Sequence, residues 1–128
     1  MTGGESLSLQ ASAADAGKRC RGLRSLTRRA DFARVYREGR SWANSLMVLR
    51  AMSNGLPCNR YGLVVSKSVG GAVVRNHVKR RLRESLRVMS LRQGWDVVCI
   101  ARSAAASADY PRFRQGLDQL LGRARMLE

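Results

Sequence analysis

The chain has 128 residues, which suits one domain, and 45% of them are hydrophobic, so a folded core is possible. It carries 24 basic and 9 acidic residues, and this formal charge of +15 indicates a polyanionic partner. Nucleic acid fits best, and an anionic membrane surface is the alternative. No apolar run of about 18 residues is present, so no membrane-spanning helix is predicted. The start of the chain lacks a signal-peptide pattern, and a cytoplasmic protein is expected.

The first 22 residues differ in composition from the rest of the chain. Residues 1–22 are rich in Gly, Ser and Ala, show no sustained hydrophobic period, and end in the basic patch KRCR. We therefore expect a disordered N-terminal tail over this stretch. No internal repeat or linker follows, so one domain is predicted over residues 23–128.

The first regular element of this domain is predicted to be a helix over residues 28–38. Phe32, Val35 and Tyr36 are spaced i, i+3, i+4, which places them on one face of a helix. Gly39 follows directly and is the expected C-cap.

The next segments are predicted to be strands. Residues 41–52 are typical of one or two strands, and residues 60–66 of another. Because side chains alternate along a strand, Leu63 and Val65 share one face, and Lys67 follows on the same side.

The second half of the domain is predicted to be helix, strand, helix. A basic helix covers residues 75–90, and residues 95–102 form a strand that is apolar on both faces and therefore central. Asp109 caps a last helix with Pro111 in its first turn. The order α-β-β-β-α-β-α indicates an α+β sandwich, in which helices pack on a mixed, four-stranded sheet.

Charged and apolar residues fall on different sides of the basic helix when successive residues are placed about 100° apart around its axis. Its apolar side consists of Val78, Leu82, Leu86 and Met89. Its cationic side carries four cations and an amide, which are Asn76, Lys79, Arg80, Arg83 and Arg87. A solvated face is the alternative interpretation, but such faces mix Glu with Lys, and here Glu84 lies off the cationic side. Phosphate binding is favoured, with Arg75 at a helix start where an anion would also meet free N–H groups.

Catalysis and metal binding by the protein itself are not predicted. Cys20, Cys58 and Cys99 are widely separated, no C-x-x-C pair occurs, and His77 is the single histidine, so a zinc site is not expected. The acidic residues are scattered over different predicted elements, whereas metal-dependent phosphodiester hydrolysis needs carboxylates held together.

The stretch YGLVVSKSVGGAVVRNHVKRRLRES resembles the signature of the bacterial ribonuclease P protein component. LTRRADFARVYREGRSWAN before it, and DVVCIAR and DYPRFRQGLDQLL after it, extend the resemblance over about residues 23–126. The resemblance implies a ribosomal protein S5 domain 2-like fold with a left-handed βαβ crossover. It also implies the small partner of a catalytic RNA, which removes 5′ leaders from precursor tRNA with Mg²⁺ held mainly by the RNA.

The resemblance further implies two sets of site residues. The set expected to bind the RNA subunit is Arg75, Asn76, His77, Lys79, Arg80, Arg83 and Arg87. The set expected to line a leader-binding cleft is Phe32, Tyr36, Leu63, Val65 and Lys67. The implied partners are the catalytic ribonuclease P RNA and precursor tRNA, with neither membrane nor DNA.

The chain departs from the family pattern at two positions. His77 stands where the third motif residue is usually arginine, and by the angle count it lies away from the cationic side. Ser68 follows Lys67 where a second lysine is common. A non-catalytic RNA-binding module of another kind, such as a ribosomal protein of similar fold, remains the alternative function.

Overall fold

The computed structural model describes residues 23–128, so the predicted tail over residues 1–22 lies outside the described residues. The described elements, in chain order, are β1 (Arg24–Ser25), α1 (Arg29–Glu38), β2 (Arg40–Ala43), β3 (Met47–Ser53), β4 (Arg60–Val64), α2 (Ala72–Val88), β5 (Trp95–Ala101), α3 (Ala104–Ser107) and α4 (Tyr110–Arg123).

The strands form one mixed sheet in the order β1-β4-β5-β3-β2. The strand pairs β1–β4 and β4–β5 are parallel, whereas β3 is antiparallel to both β5 and β2. The prediction of an α+β fold with a mixed sheet and a central β5 is confirmed. The sheet has five strands instead of four, because the two residues of β1 are too few to give a recognisable alternation in the sequence.

The two faces of the sheet are covered by different helices. On one face, α2 and α4 pack over the main core, which includes Val97 and Cys99 of β5. On the other face, Val35 of α1 packs against Val98 of β5 and Leu26, and Phe32 lies at the edge of this smaller cluster. Strand β5 is therefore buried from both sides, as its doubly apolar sequence predicts.

Helix α2 begins earlier than its sequence predicts. It starts at Ala72, with Gly71 as its N-cap, and the N–H of Arg75 already donates to the Gly71 carbonyl at 2.9 Å. The expectation that an anion at Arg75 would meet free N–H groups is therefore wrong, since that N–H is used inside the helix. The apolar residues Val73 and Val74 lengthen the helix without adding to its amphipathic period.

A partly buried ion pair connects the parallel strands β4 and β5 and reaches α1. The Asp96 carboxylate, in a residue only 2% exposed, accepts hydrogen bonds from Nε and Nη2 of Arg60 at 2.8 and 2.7 Å. Asn54 donates to the same carboxylate at 2.9 Å, and Arg60 Nη1 donates to Asp31 of α1 at 3.3 Å. Burial acts to raise the pKa of Asp96, but the hydrogen bonds from Arg60 and Asn54 outweigh burial and hold this pKa below its usual value.

We expect Asp96→Asn to lower the free energy of unfolding by about 2 kcal/mol at neutral pH. This is less than the roughly 3–5 kcal/mol for a fully buried pair, because Arg60 remains partly solvated. Because the folded-state pKa is lowered, the carboxylate stabilises the fold above about pH 4, and its contribution is lost as the pH falls through that lowered pKa. Urea unfolding at several pH values measures this effect, and the two proteins should converge in acid.

The matched control for this substitution is Asp118→Asn, which removes an exposed carboxylate from α4. It should change stability little at any pH. A difference between wild type and Asp96→Asn that stays constant down to strongly acidic pH would contradict the assignment of a stabilising carboxylate.

Candidate nucleic-acid interface

One side of α2 is fixed to the sheet by apolar packing. Val78, Leu82 and Leu86 are buried in the main core, and Met89 is half-buried beside them. These are the residues that the helical spacing predicts for the apolar side. Their packing fixes the rotation of α2 about its axis, so the direction in which its cations point is also fixed.

The cationic side of α2 faces solvent without neutralising partners. Arg80, Arg83 and Arg87 are exposed and Lys79 is half-buried. The ion pairs found among residues 23–128 are Arg37–Glu38, Arg60–Asp31 and Arg60–Asp96, and none of them involves α2. The positive charge of this helix is therefore available to an external anion.

A hollow lies where α2 passes the outer edge of β4, and we call it the edge hollow. Its lining comes from β1 and the residue on either side of it, from α1, from β4 and from α2. The lining residues are Leu23, Arg24, Ser25, Leu26, Phe32, Tyr61, Leu63, Lys79 and Arg83. The edge hollow thus brings Phe32 and Leu63, two residues of the predicted leader site, next to two residues of the predicted RNA-subunit site.

A second hollow, which we call the helix hollow, lies along α2 itself. It is lined by Val73, Asn76, His77, Arg80 and Arg83. His77 Nδ1 and Arg80 Nη2 are 3.3 Å apart, close enough for a hydrogen bond. His77 therefore lies with the cations, although the angle count places it away from them, since one turn of helix lets the Arg80 side chain reach back to it.

Arg81 differs from the other cations of α2 because its guanidinium makes contacts within the protein. Its Nη1 donates to the Ala108 carbonyl at 2.7 Å, and its guanidinium lies 5.9 Å from the centroid of the Phe113 ring. These contacts attach α2 to the start of α4. Arg75 is half-buried, and Arg87 lines neither hollow.

Helix α1 carries the two predicted aromatic residues, of which Phe32 is half-buried and Tyr36 is exposed. Phe32 lies directly over Gly62 of β4, where a Cβ atom would come within 2.6 Å of the ring, so glycine is required for this close approach. Tyr36 is 41% exposed, and its ring lies 5.3 Å from the guanidinium of Arg50. Arg50 Nη2 also donates to the Tyr36 carbonyl at 2.6 Å.

The sequence did not lead us to predict that Arg50 would contact Tyr36. Arg50 is the only charged residue within β3, and alternation places it on the same face as Val48 and Met52, opposite the buried residues Leu49 and Ala51. A single arginine inside an otherwise apolar strand was the signal that could have identified it.

The expected leader cleft is not assembled as predicted. Leu63 and Val65 pack with the main core on the α2 side of the sheet, whereas Phe32 packs with Val64 on the α1 side. The error follows from the strand alternation, since the helix carrying the aromatic residues covers the opposite face. Val65 is buried and unavailable to a ligand, and Lys67 is exposed in the turn after β4, outside both hollows.

Neither a metal site nor a membrane span occurs within the part of the chain that the structure describes. Residues 23–128 contain no group of three or more His, Cys, Asp or Glu side chains that could hold a metal ion. No helix in the same range is long and apolar enough to cross a bilayer. The cationic side of α2, which contributes to the lining of both hollows, suits a phosphate-bearing polymer.

Comparison with known proteins decides the family. The model of the ribonuclease P family matches residues 21–125. The chain belongs to the ribonuclease P protein family. The ribonuclease P protein component of Dehalococcoides mccartyi is 47% identical over 102 residues, covering 80% of this chain and 85% of that protein. That of Caldanaerobacter subterraneus is 44% identical over 108 residues, covering 83% and 93%.

A solved structure supports the fold as well as the family. A mutant RNase P protein from Staphylococcus aureus superposes with a TM-score of 0.76 at 33% identity, covering 80% of this chain and 89% of that one. Members of the ribonuclease P protein family are the non-catalytic protein part of a ribonucleoprotein endoribonuclease, which needs divalent metal through its RNA.

Arg83→Ala should weaken binding of the protein to a bacterial ribonuclease P RNA more than Arg81→Ala does. Loss of one charge-assisted phosphate contact costs roughly 1.5–3 kcal/mol. Arg81→Ala should instead lower the melting temperature, because it removes the contacts to Ala108 and Phe113. Equilibrium binding and thermal unfolding of both variants measure this difference, and equal losses of affinity in two folded variants would contradict it.

Proposed function

We propose that the protein binds the catalytic RNA of ribonuclease P and the 5′ leader of precursor tRNA. In this role it assists the RNA, with its Mg²⁺ ions, in endonucleolytic removal of the leader. The protein contributes no catalytic residue, and it stabilises the folded RNA while positioning the substrate. We propose that it acts in the cytoplasm, with neither DNA nor a membrane as a partner.

The observation that carries this proposal is the unneutralised charge on a helix of fixed orientation. Lys79, Arg80 and Arg83 project from α2 while Val78 and Leu82 hold its other side in the core. Several guanidinium and ammonium groups on one side of a fixed helix attract the phosphates of an RNA strand, and arginine binds phosphate through a planar pair of donors. From the RNA-subunit set predicted from the sequence, His77 lies beside Arg80 and supports this proposal.

The leader is proposed to run over the α1 side of the sheet edge. Phe32 supplies a ring at the edge hollow, and Tyr36 supplies a second ring farther along α1. Arg50 covers part of the Tyr36 ring, so a base has the remaining ring surface or the guanidinium plane on which to stack. Stacking tolerates any base, which suits a subunit whose substrates carry different leaders.

The direct test is cleavage of precursor tRNA by a bacterial ribonuclease P RNA at low Mg²⁺ concentration. Adding the purified protein should convert slow cleavage into fast cleavage at the same site, because its cations replace part of the screening that Mg²⁺ otherwise supplies. An unrelated basic protein of similar charge is the control. RNA binding without any rise in cleavage would indicate an RNA-binding module of another kind.

Tyr36→Ala should weaken the binding of precursor tRNA more than the binding of mature tRNA, which lacks a leader. The loss of one stacked base is worth about 1–3 kcal/mol. Binding of both tRNAs to the reconstituted holoenzyme measures this effect. Tyr110→Ala is the matched control, since Tyr110 is 39% exposed and lies on α4, away from α1. An equal loss of affinity for both tRNAs, or a loss of protein stability alone, would contradict a leader contact at Tyr36.

A further inference from the structure

The edge hollow has the chemistry of a site for an unpaired nucleotide within a longer strand. It joins the ring of Phe32 and the aliphatic side chain of Leu63 to the cations Arg24, Lys79 and Arg83. Unpaired bases stack on such rings while basic groups hold the adjoining phosphate. Its volume of about 220 Å³ is below the roughly 300 Å³ at which pockets for free small molecules begin. It therefore suits one part of a polymer.

The helix hollow has a different chemistry. Among its lining residues, Val73 is the one aliphatic side chain, and Asn76, His77, Arg80 and Arg83 are all polar or charged. Its volume is about 510 Å³, more than twice that of the edge hollow. A broad, polar and cationic surface without a phenyl or phenol ring suits the sugar-phosphate backbone of a folded RNA, which is recognised by shape and charge.

Arg83 lines both hollows and therefore lies on the ridge between them. We propose that α2 binds two RNA segments at once, with the unpaired leader on the Lys79 side and the folded catalytic RNA on the Arg80 side. Arg83 contacts both. This inference rests on the proposed function, and it divides the motif helix that the family resemblance assigns wholly to the catalytic RNA.

The guanidinium of Arg83 is suited to a shared contact. It has five N–H donors in a plane, so two of them can hold one phosphate while others remain for a second. Because neither Lys79 nor Arg83 is held by an ion pair among residues 23–128, both are free to turn toward the leader. Binding of the catalytic RNA would then orient Arg83 for the leader, which couples assembly to substrate selection.

The test uses the full chain assembled with a bacterial ribonuclease P RNA. One measurement is the affinity of the protein for that RNA without substrate, and the other is the ratio of holoenzyme affinities for precursor and mature tRNA. Lys79→Met should lower the precursor preference about tenfold while assembly stays near wild type. Arg80→Met should weaken assembly by a similar factor while the preference remains, and Arg83→Met should lower both.

Charge-conserving and distant variants control the experiment. Lys79→Arg should retain the precursor preference, because it keeps a cation in the edge hollow. Arg112→Met removes a cation of α4 that lines neither hollow, and it should change neither measurement. Thermal unfolding of each variant separates lost contacts from lost structure, and Lys79→Gln replaces Lys79→Met if the latter melts early.

Two different failures can be told apart in this design. The proposed function stands if wild-type protein raises the cleavage rate and the holoenzyme prefers precursor tRNA. The division of α2 is overturned if, in that case, Lys79→Met and Arg80→Met lower the same measurement equally. No change of precursor preference in Lys79→Met would also overturn the division. If wild-type protein neither raises cleavage nor prefers precursor tRNA, the proposed function itself fails.

Discussion

The structure depends on one constraint, which is that β5 must be covered on both faces. Val97 and Cys99 point to one side of the sheet and Val98 to the other, and all three are fully buried. Burying such side chains contributes roughly 1.5–3 kcal/mol each, so a sheet covered on one side alone would forfeit part of its core. Helices must therefore pack on both faces. The parallel pairing of β4 with β5 then requires a long crossover between them, and α2 supplies it.

This arrangement explains why an aromatic and a cationic surface of the protein meet at one edge of the sheet. Strand β4 separates α1 from α2, and it is the last long strand on its side, since β1 pairs with only its first two residues. The ring of Phe32 approaches that edge from one face and the side chain of Lys79 from the other. An aromatic surface and a cationic helix, which belong to opposite layers, are thus joined only where the sheet ends.

The sequence was sufficient for the longer elements and for the charge sorting of α2, but not for the short elements β1 and α3, the first turn of α2 or the assembly of the site. Val78, Leu82 and Leu86 are buried as their spacing predicts, because the helical period is a local property. The grouping of Leu63 with Phe32 on one face was wrong, because alternation tells which residues of a strand share a face but not which helix covers it. Membership in the shared edge hollow, and the contact between Arg50 and Tyr36, depend on tertiary packing alone.

The magnitudes explain how α2 tolerates its own charge. Like charges three or four residues apart, such as Lys79 with Arg83, destabilise a helix by about 0.2–0.5 kcal/mol per pair. Each buried side chain on the opposite side contributes several times more, so the packing of Val78, Leu82 and Leu86 outweighs the repulsion. The helix therefore forms before any RNA is bound, and the direction of its cationic side is fixed while the cationic side chains remain free to turn. Binding of phosphates then relieves a charge repulsion that is already present in the free protein. Because the helix is already formed, fewer residues must be ordered on binding, and more of the electrostatic free energy remains as affinity.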